Sequence, residues 1–306
     1  VSTSARVIVN TTSGQGCPDG WVEDVERKFA DRGIDARVMQ VHSGQEITAA
    51  ARRAVQEGIR LVIAGGGDGT VSAVSSQLAN TGVTLGVLPM GTLNHFAKDL
   101  KLPLELEAAI DAIAHGEEVA VDMGEVNGRL FINNSSIGLY PDIVLDRERQ
   151  RQRLGRGKWA ALVAASVHAA RRYPVLSLHL EVDGRPLERR SAFVFIGNNE
   201  YSMEGFEIGE RKGLRDGKLS LYVTQRTGRF GLLLLALRAL LRRLRQASDF
   251  DMFSAASVVI NTRHRRMRVA ADGEVFVMET PLNYRIRPGA LRVRVPGPGS
   301  GNDDRA

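Results

Sequence analysis

Only one cysteine, Cys17, occurs in 306 residues. That excludes an internal disulfide framework and suits a reducing compartment, so the cytoplasm is the expected location. No apolar run is long enough to cross a bilayer, and the opening VSTSARVIVN lacks the basic-then-apolar order of a secretory signal. A water-soluble protein is expected. The six histidines (His42, His95, His115, His168, His179, His264) show no metal-ligand spacing, and no Ser/His/Asp arrangement is legible. There is no internal repeat.

What is present bounds the answer from the other side. At 43% hydrophobic residues the chain can bury a substantial core, and its length makes two domains the default. A formal net charge of +6 favours anionic partners: nucleotides, nucleic acids or acidic lipid surfaces. Charge alone does not choose among them.

The pattern changes near residue 122. Before it, short apolar runs (ARVIVN, ARVMQV, IRLVIA, VTLGVLP) alternate with helical stretches at Trp21 to Arg32, Glu46 to Glu57 and from about Thr70. That order predicts βαβ units and a parallel sheet over residues 1–122. After it, VLSLHLEV, KLSLYVTQ, SVVINT, RMRVAA and ALRVRV alternate in the manner of half-buried antiparallel strands, which predicts a β-rich domain over 123–295. Two helices are expected in that half, at about Lys158 to Arg171 and Arg229 to Gln246. The tail over 296–306, rich in Gly, Pro and charge, is expected to be disordered.

Three loops in the first half share one plan. In LVIAGGGDGTVSAV the strand Ile59 to Ala64 runs into a glycine loop, Gly65 to Gly69, with Thr70 as the expected N-cap of the next helix. Such a loop presents free N–H groups and the positive end of the helix dipole to an anion. The order is neither G-x-G-x-x-G nor G-x-x-x-x-G-K-[ST]. A glycine-rich turn packing a helix tightly on its strand would have the same composition. The plan recurs at LGVLPMGTLNHFA, with Gly91, Thr92 and Asn94, and at VIVNTTSGQG, with Asn10, Thr12, Ser13 and Gly14. If the sheet is parallel, all three loops lie along the edge where open α/β sheets bind ligands.

Taken together, GGGDGT (Gly65 to Thr70) and PMGTLNHFA (Pro89 to Ala97) resemble the catalytic domain shared by diacylglycerol kinases, sphingosine and ceramide kinases and bacterial lipid kinases. The resemblance continues through NNSSIGLYP (Asn133 to Pro141), RDGKL (Arg215 to Leu219) and ADGE (Ala271 to Glu274). It implies an α/β nucleotide-binding domain like those of NAD kinases and phosphofructokinases, a mainly antiparallel β-sandwich-like second domain, and an active site in the cleft between them. The implied reaction is ATP-dependent phosphorylation of a lipid hydroxyl with Mg²⁺, diacylglycerol being the first choice and a sphingoid base another. Asn10, Ser13, Gly14, Gly65, Gly66, Gly67, Gly69, Thr70, Gly91, Thr92 and Asn94 would hold the nucleotide, Asp68 and Asp216 the metal, and Asp68, Asp272 and Glu274 the chemistry. The chain departs from the family at Thr11, where proline is frequent, at His95, where many bacterial lipid kinases carry Asp, and at Lys212 to Arg215, which supply no acid upstream of Asp216.

The resemblance gives Asp68 a reason to sit in a phosphate cradle. A divalent cation between the carboxylate and the phosphates removes the clash of anion with anion. Glu274 is the favoured general base. NAD kinases share a GGDGT loop, but no counterpart of their later Thr-Gly-Ser-Thr-Ala-Tyr segment is found. A nucleotide- or lipid-binding module without turnover is the remaining alternative.

Other features admit two readings. The four Asp-Gly pairs other than Asp68-Gly69 read as turns, Asp183-Gly184 as a hairpin and Asp272-Gly273 as a turn unless the family role applies. The run Arg147 to Lys158 is a solvated charge run or a contact for phosphate or acidic lipid. In the helix Arg229 to Gln246, Leu233, Leu237, Leu240 and Leu244 share one face and Arg238, Arg242 and Arg245 another, which suits a core helix or a membrane-surface helix alike. The expected partners are a membrane lipid and an anionic membrane surface reached peripherally. Nucleic acid is not expected, and a homodimer is compatible with the sequence.

Overall fold

The computed structural model describes residues 3–11, 17–138, 175–201, 211, 213–224 and 250–297. The loop 12–16 with Ser13 and Gly14, the charge run 147–158, the helices expected over 158–171 and 229–246, and the tail from 298 lie outside the described residues. By contacts the chain divides into two units, Val1–Asp122 with Gly289–Ala306, and Met123–Pro288.

The first unit alternates β1 (Thr3–Asn10), α1 (Trp21–Ala30), β2 (Ile34–Val41), α2 (Gly44–Gln56), β3 (Leu61–Gly66), α3 (Asp68–Leu78) and β4 (Thr84–Pro89), followed by α4 (His95–Asp99) and α5 (Leu106–His115). Its strands pair in parallel in the order β2-β1-β3-β4. Every residue of β3 is buried, as a parallel strand covered on both faces requires. Val7, Val9 and Ile63 meet Val25 and Phe29 of α1 and Ile110 and Ile113 of α5. The i, i+4 spacing of Val25 and Phe29 turns both to that core. At the start of α2 the Ser43 hydroxyl accepts from Glu46 N while the Glu46 carboxylate accepts from Ser43 Oγ and His42 N, a reciprocal cap that fixes where the helix begins.

Two expectations need correction. Thr70 does not cap α3: the helix starts two residues earlier, with Gly67 as N-cap and Asp68 as its first residue. Thr70 is buried in the first turn because Gly66, without a Cβ, lets that turn fold back over the end of β3; a Cβ there would lie 2.5 Å from Thr70 Oγ1. The segment Ala290–Val295, expected as an antiparallel strand of a second domain reaching residue 295, instead belongs to the first unit. It is the later part of β16 (Leu282–Val295) and runs parallel beside β4, with Arg292 opposite Thr84. Glu118 ties this pair, accepting from Thr84 Oγ1 at 2.5 Å and Arg292 Nη1 at 2.9 Å. Alternation reveals that a strand has one polar side but says nothing about its partner or direction.

The second unit is a sandwich of antiparallel strands. Around the junction, β5 (Glu117–Val126) pairs with β6 (Arg129–Phe131). One sheet of the sandwich orders β7 (Asn134–Gly138), β10 (Phe193–Asn198), β11 (Leu219–Thr224), β12 (Phe250–Ala255), β14 (Arg266–Ala271) and β15 (Glu274–Glu279) as β12-β11-β10-β7-β14-β15. The facing strands are the earlier part of β16, β13 (Ser257–Thr262), β8 (Leu176–Val182) and β9 (Arg185–Ser191). Ile137, Val194, Ile196, Leu221 and Val269 of the first sheet pack with Leu178, Leu180, Val258, Ile260 and Tyr284 of the second. Burial would raise the Glu125 carboxyl, but Arg285 and Arg287, at 2.5 and 2.7 Å, hold it below the usual carboxylate range. The expected α/β class, parallel sheet first and antiparallel sandwich second, is what the structure has. No helix among the described residues is long and apolar enough to cross a membrane.

Candidate functional site

The sheet brings the ends of β1, β3 and β4 side by side, and backbone contacts close their loops on one another. Gly91, after β4, packs against Gly67, after β3, so closely that a Cβ on Gly91 would lie 2.5 Å from Gly67 Cα. Met90 N donates to Gly66 O at 3.0 Å, which continues the ladder one step past the strands. Asn94, buried and in the left-handed region at φ 51°, accepts from Gly91 N at 3.0 Å and donates to Gly91 O at 2.9 Å. Its amide thus stands in for a strand partner and closes the second loop into a ring. Asn10, at the end of β1, donates to Thr70 Oγ1 at 3.3 Å.

At the centre lies the first turn of α3. The leading N–H groups of a helix have no intrahelical acceptor, and Gly69 leaves the space before them open, with nothing within 4 Å of where its Cβ would be. Thr70 N and Val71 N already bond to Gly67 O, so the amides of Asp68 and Gly69 are the ones that point onward. Such a cradle suits phosphate oxygens. Asp68, half-buried, accepts from Phe96 N of α4 through Oδ1 at 3.2 Å. Asp68 therefore fastens the start of one helix to the start of another through Oδ1. Thr92 is exposed on the second loop and His95 at the start of α4.

The second unit carries the remaining expected acids. Asp272 sits at φ 47° and Gly273 at φ 85°, the two left-handed positions of a tight hairpin between β14 and β15. The Asp272 carboxylate accepts from Ile132 N and Asn133 N, both at 2.8 Å, and from Asn134 N at 3.2 Å, while its own N–H donates to Asn134 O. Three amides on one carboxylate make it a latch for the start of β7. Behind that segment, Arg211 is buried, donating to Ile132 O at 2.6 Å and Asn133 Oδ1 at 3.0 Å, and Asn198 Nδ2 donates to Ile132 O at 2.9 Å. Asn199, hydrogen-bonded to Asn198, accepts from Asp216 N at 3.0 Å. Glu274, two residues beyond Asp272, is exposed at the start of β15.

Among the described residues no group of three or more His, Cys, Asp or Glu side chains converges to hold a metal. A magnesium ion, which takes one or two carboxylates and completes its shell with phosphates and water, fits Asp68 beside a phosphate cradle. Asp216 is exposed in a turn that adds no second acid, and Lys212 lies outside the described residues. The buried Arg211, Asn198 and Asn199 were not singled out from sequence. In a chain with 41 Lys and Arg residues one arginine carries no mark, although Gly197-Asn198-Asn199 at a strand end was a signal.

A family model for the diacylglycerol kinase catalytic domain matches residues 4–126, and one for the YegS C-terminal NAD kinase beta sandwich-like domain matches residues 141–295. Over 225 residues the chain is 28% identical to a diacylglycerol kinase of Staphylococcus carnosus strain TM300, covering 72% of each. It is 29% identical over 233 residues to a diacylglycerol kinase of Staphylococcus aureus strain JH9, covering 73% of this chain and 71% of that one. A solved diacylglycerol kinase structure from Bacillus anthracis strain Sterne superposes with a TM-score of 0.69 at 21% identity over 96% of this chain and 97% of the other. A second structure from that organism gives 0.75 at 23% with the same coverage. At those identities the likeness is one of fold.

Proposed function

Because the chain belongs to the family that joins a diacylglycerol kinase catalytic domain to a YegS C-terminal NAD kinase beta sandwich-like domain, and is thus a phosphotransferase, we propose that it transfers the γ-phosphate of ATP to the hydroxyl of a membrane lipid, diacylglycerol before others. The observation that carries the nucleotide site is the backbone-to-backbone closure of Gly67 on Gly91 around an open helix start. Side chains are absent where phosphate oxygens must come close, and Asp68 and Gly69 offer amides there.

Each residue has a distinct task in this reading. Asp68 and Gly69 hold phosphate oxygens with their N–H groups, and Asn94 keeps the second loop shut behind them. Mg²⁺, when bound, neutralises charge that develops on the transferred phosphoryl group. Asp68 orients that ion through its carboxylate. Glu274, whose carboxylate has no hydrogen bond among the described residues, accepts the proton of the lipid hydroxyl. Asp272 fixes the turn from which Glu274 projects. Peripheral association with an anionic membrane at the cytoplasmic side follows from a substrate that resides in the bilayer.

A screen with labelled ATP tests this directly, offering diacylglycerol, a sphingoid base, other lipid alcohols and NAD in parallel. Labelled phosphatidic acid is the expected principal product. Label in NAD, or ATP binding with transfer to none of them, overturns the assignment.

A further inference from the structure

We infer that the hairpin β14–β15, with the turn that leads into it, is a docking surface for anionic phospholipid; this rests on the lipid kinase reading and assigns that reading a place of contact. The turn between β13 and β14 reads Arg263-His264-Arg265, and Arg266 and Arg268 follow on β14; all five side chains are exposed. Arg263 and Arg265 make no ion pair among the described residues. Arg266 meets Glu279 at 3.3 Å, but both are well exposed, so the pair does little to quench the positive field.

The register places an apolar side chain within this field. Arg268 lies directly opposite Val277, and Arg266 opposite Glu279. Residues opposite each other in an antiparallel pair share a face. The alternate pairs, Met267 with Met278 and Val269 with Phe276, turn inward to the core. Val277 is 68% exposed, the most open large apolar residue described, and it stands beside the arginines on the outer face. β15 is an edge strand of its sheet. Edge strands are guarded by charge, but a guard has no use for an exposed valine. Cations beside an exposed apolar group match the two phases of a membrane surface, phosphate and acyl chain. A nucleic acid backbone would satisfy the arginines and leave Val277 without a partner.

The turn is held rather than loose. Thr280 N donates to Arg265 O at 3.1 Å, Thr280 Oγ1 to His264 O at 2.8 Å, and His264 N to Thr262 Oγ1 at 3.1 Å. All are backbone or threonine bonds, so Arg263 and Arg265 can be replaced without disturbing the turn.

The full chain is sedimented with vesicles of phosphatidylcholine, alone or mixed with phosphatidylglycerol, at low and moderate salt, with duplex DNA as a competing ligand. The double variant Arg263→Gln, Arg265→Gln is expected to bind mixed vesicles about 25-fold more weakly than the parent at low salt, at about fivefold per charge, with the gap narrowing as salt rises. Val277→Asn is expected to weaken binding by roughly tenfold at either salt. Thermal unfolding and turnover of a short-chain lipid in detergent should match the parent for both. Equal vesicle binding by parent and double variant, or DNA binding that is lost while vesicle binding stays, overturns the inference. Arginine-dependent vesicle binding by a protein that phosphorylates no lipid supports this surface and removes the kinase reading. Lipid phosphorylation with vesicle binding insensitive to these residues does the reverse.

Discussion

In the first unit the pair Asp68-Gly69 opens a helix, and in the second Asp272-Gly273 closes a hairpin. The dipeptide is the same and the surroundings decide its use. After a parallel strand the chain must leave the sheet, so Asp68 enters α3 with helical geometry and accepts from the Phe96 amide through Oδ1. Between antiparallel strands the chain must reverse at once, so Asp272 adopts the left-handed region and its carboxylate accepts from three successive amides leading into β7. Asp183 repeats the second pattern: at φ 47° it accepts from Ala256 N at 2.9 Å and Ser257 N at 2.8 Å, latching the start of β13. Asn127, at φ 46°, does likewise for Asn283 at the start of β16. How many backbone amides such a carboxylate meets is therefore decided by topology, not by the residues themselves.

The largest expected effect falls on the two acids proposed for the chemistry. Asp68→Asn should cut kcat/KM by roughly 100- to 1,000-fold, because a neutral amide is a poor ligand for a cation beside phosphates, while the unfolding midpoint hardly moves. Glu274→Gln should lower kcat by about 100-fold or more and leave nucleotide affinity intact, since proton acceptance matters only in the transition state. Native-like turnover in a folded Asp68→Asn protein would break the contrast between the two Asp-Gly pairs at its first member.

The next effect is on stability. Asp272→Ala leaves three amides without their acceptor and is expected to cost about 3 kcal/mol, read from denaturant unfolding, whereas Asp272→Asn, which still accepts, should cost less. If Asp272→Ala abolished turnover with no loss of stability, Asp272 would belong with Asp68 instead. The smallest effect sharpens the comparison. Asp183→Ala should cost about 2 kcal/mol and leave kcat/KM unchanged, because its latch holds a strand that carries none of the proposed chemistry.

Much of the fold was legible because period-2 and period-3.6 patterns are local. The βαβ order up to β4 follows from buried runs such as Leu61–Gly66 and from the Val25/Phe29 stripe. Where the sequence misled, the cause was a partner distant in the chain. Thr70 reads as a cap until Gly66 is seen to accommodate a helical turn above it, and Ala290–Val295 reads as one more antiparallel strand until Thr84 is found beside Arg292. The glycine loops were visible as composition, but the approach of Gly67 to Gly91 is a contact across 24 positions of chain, by subtraction of their numbers. The latch at Asp272 depends on amides about 140 residues earlier, as the separation of Ile132 from Asp272 shows, and no local signal encodes it.

The return of the chain to β4 has a consequence for how the protein is made. Asn80 N bonds to Ala290 O, Gly289 N to Asp122 Oδ1, and Arg294 Nη1 to Gly116 O, so the first unit is closed by residues that leave the ribosome after all of the second. During synthesis the strand Thr84–Pro89 waits with an open hydrogen-bonding edge while the whole second unit is still to be added. The loops at the other end of that strand, proposed to hold the nucleotide, are thus set on a sheet that becomes complete only after the second unit has been made, and an unfinished chain holds the loops without the strand that steadies them.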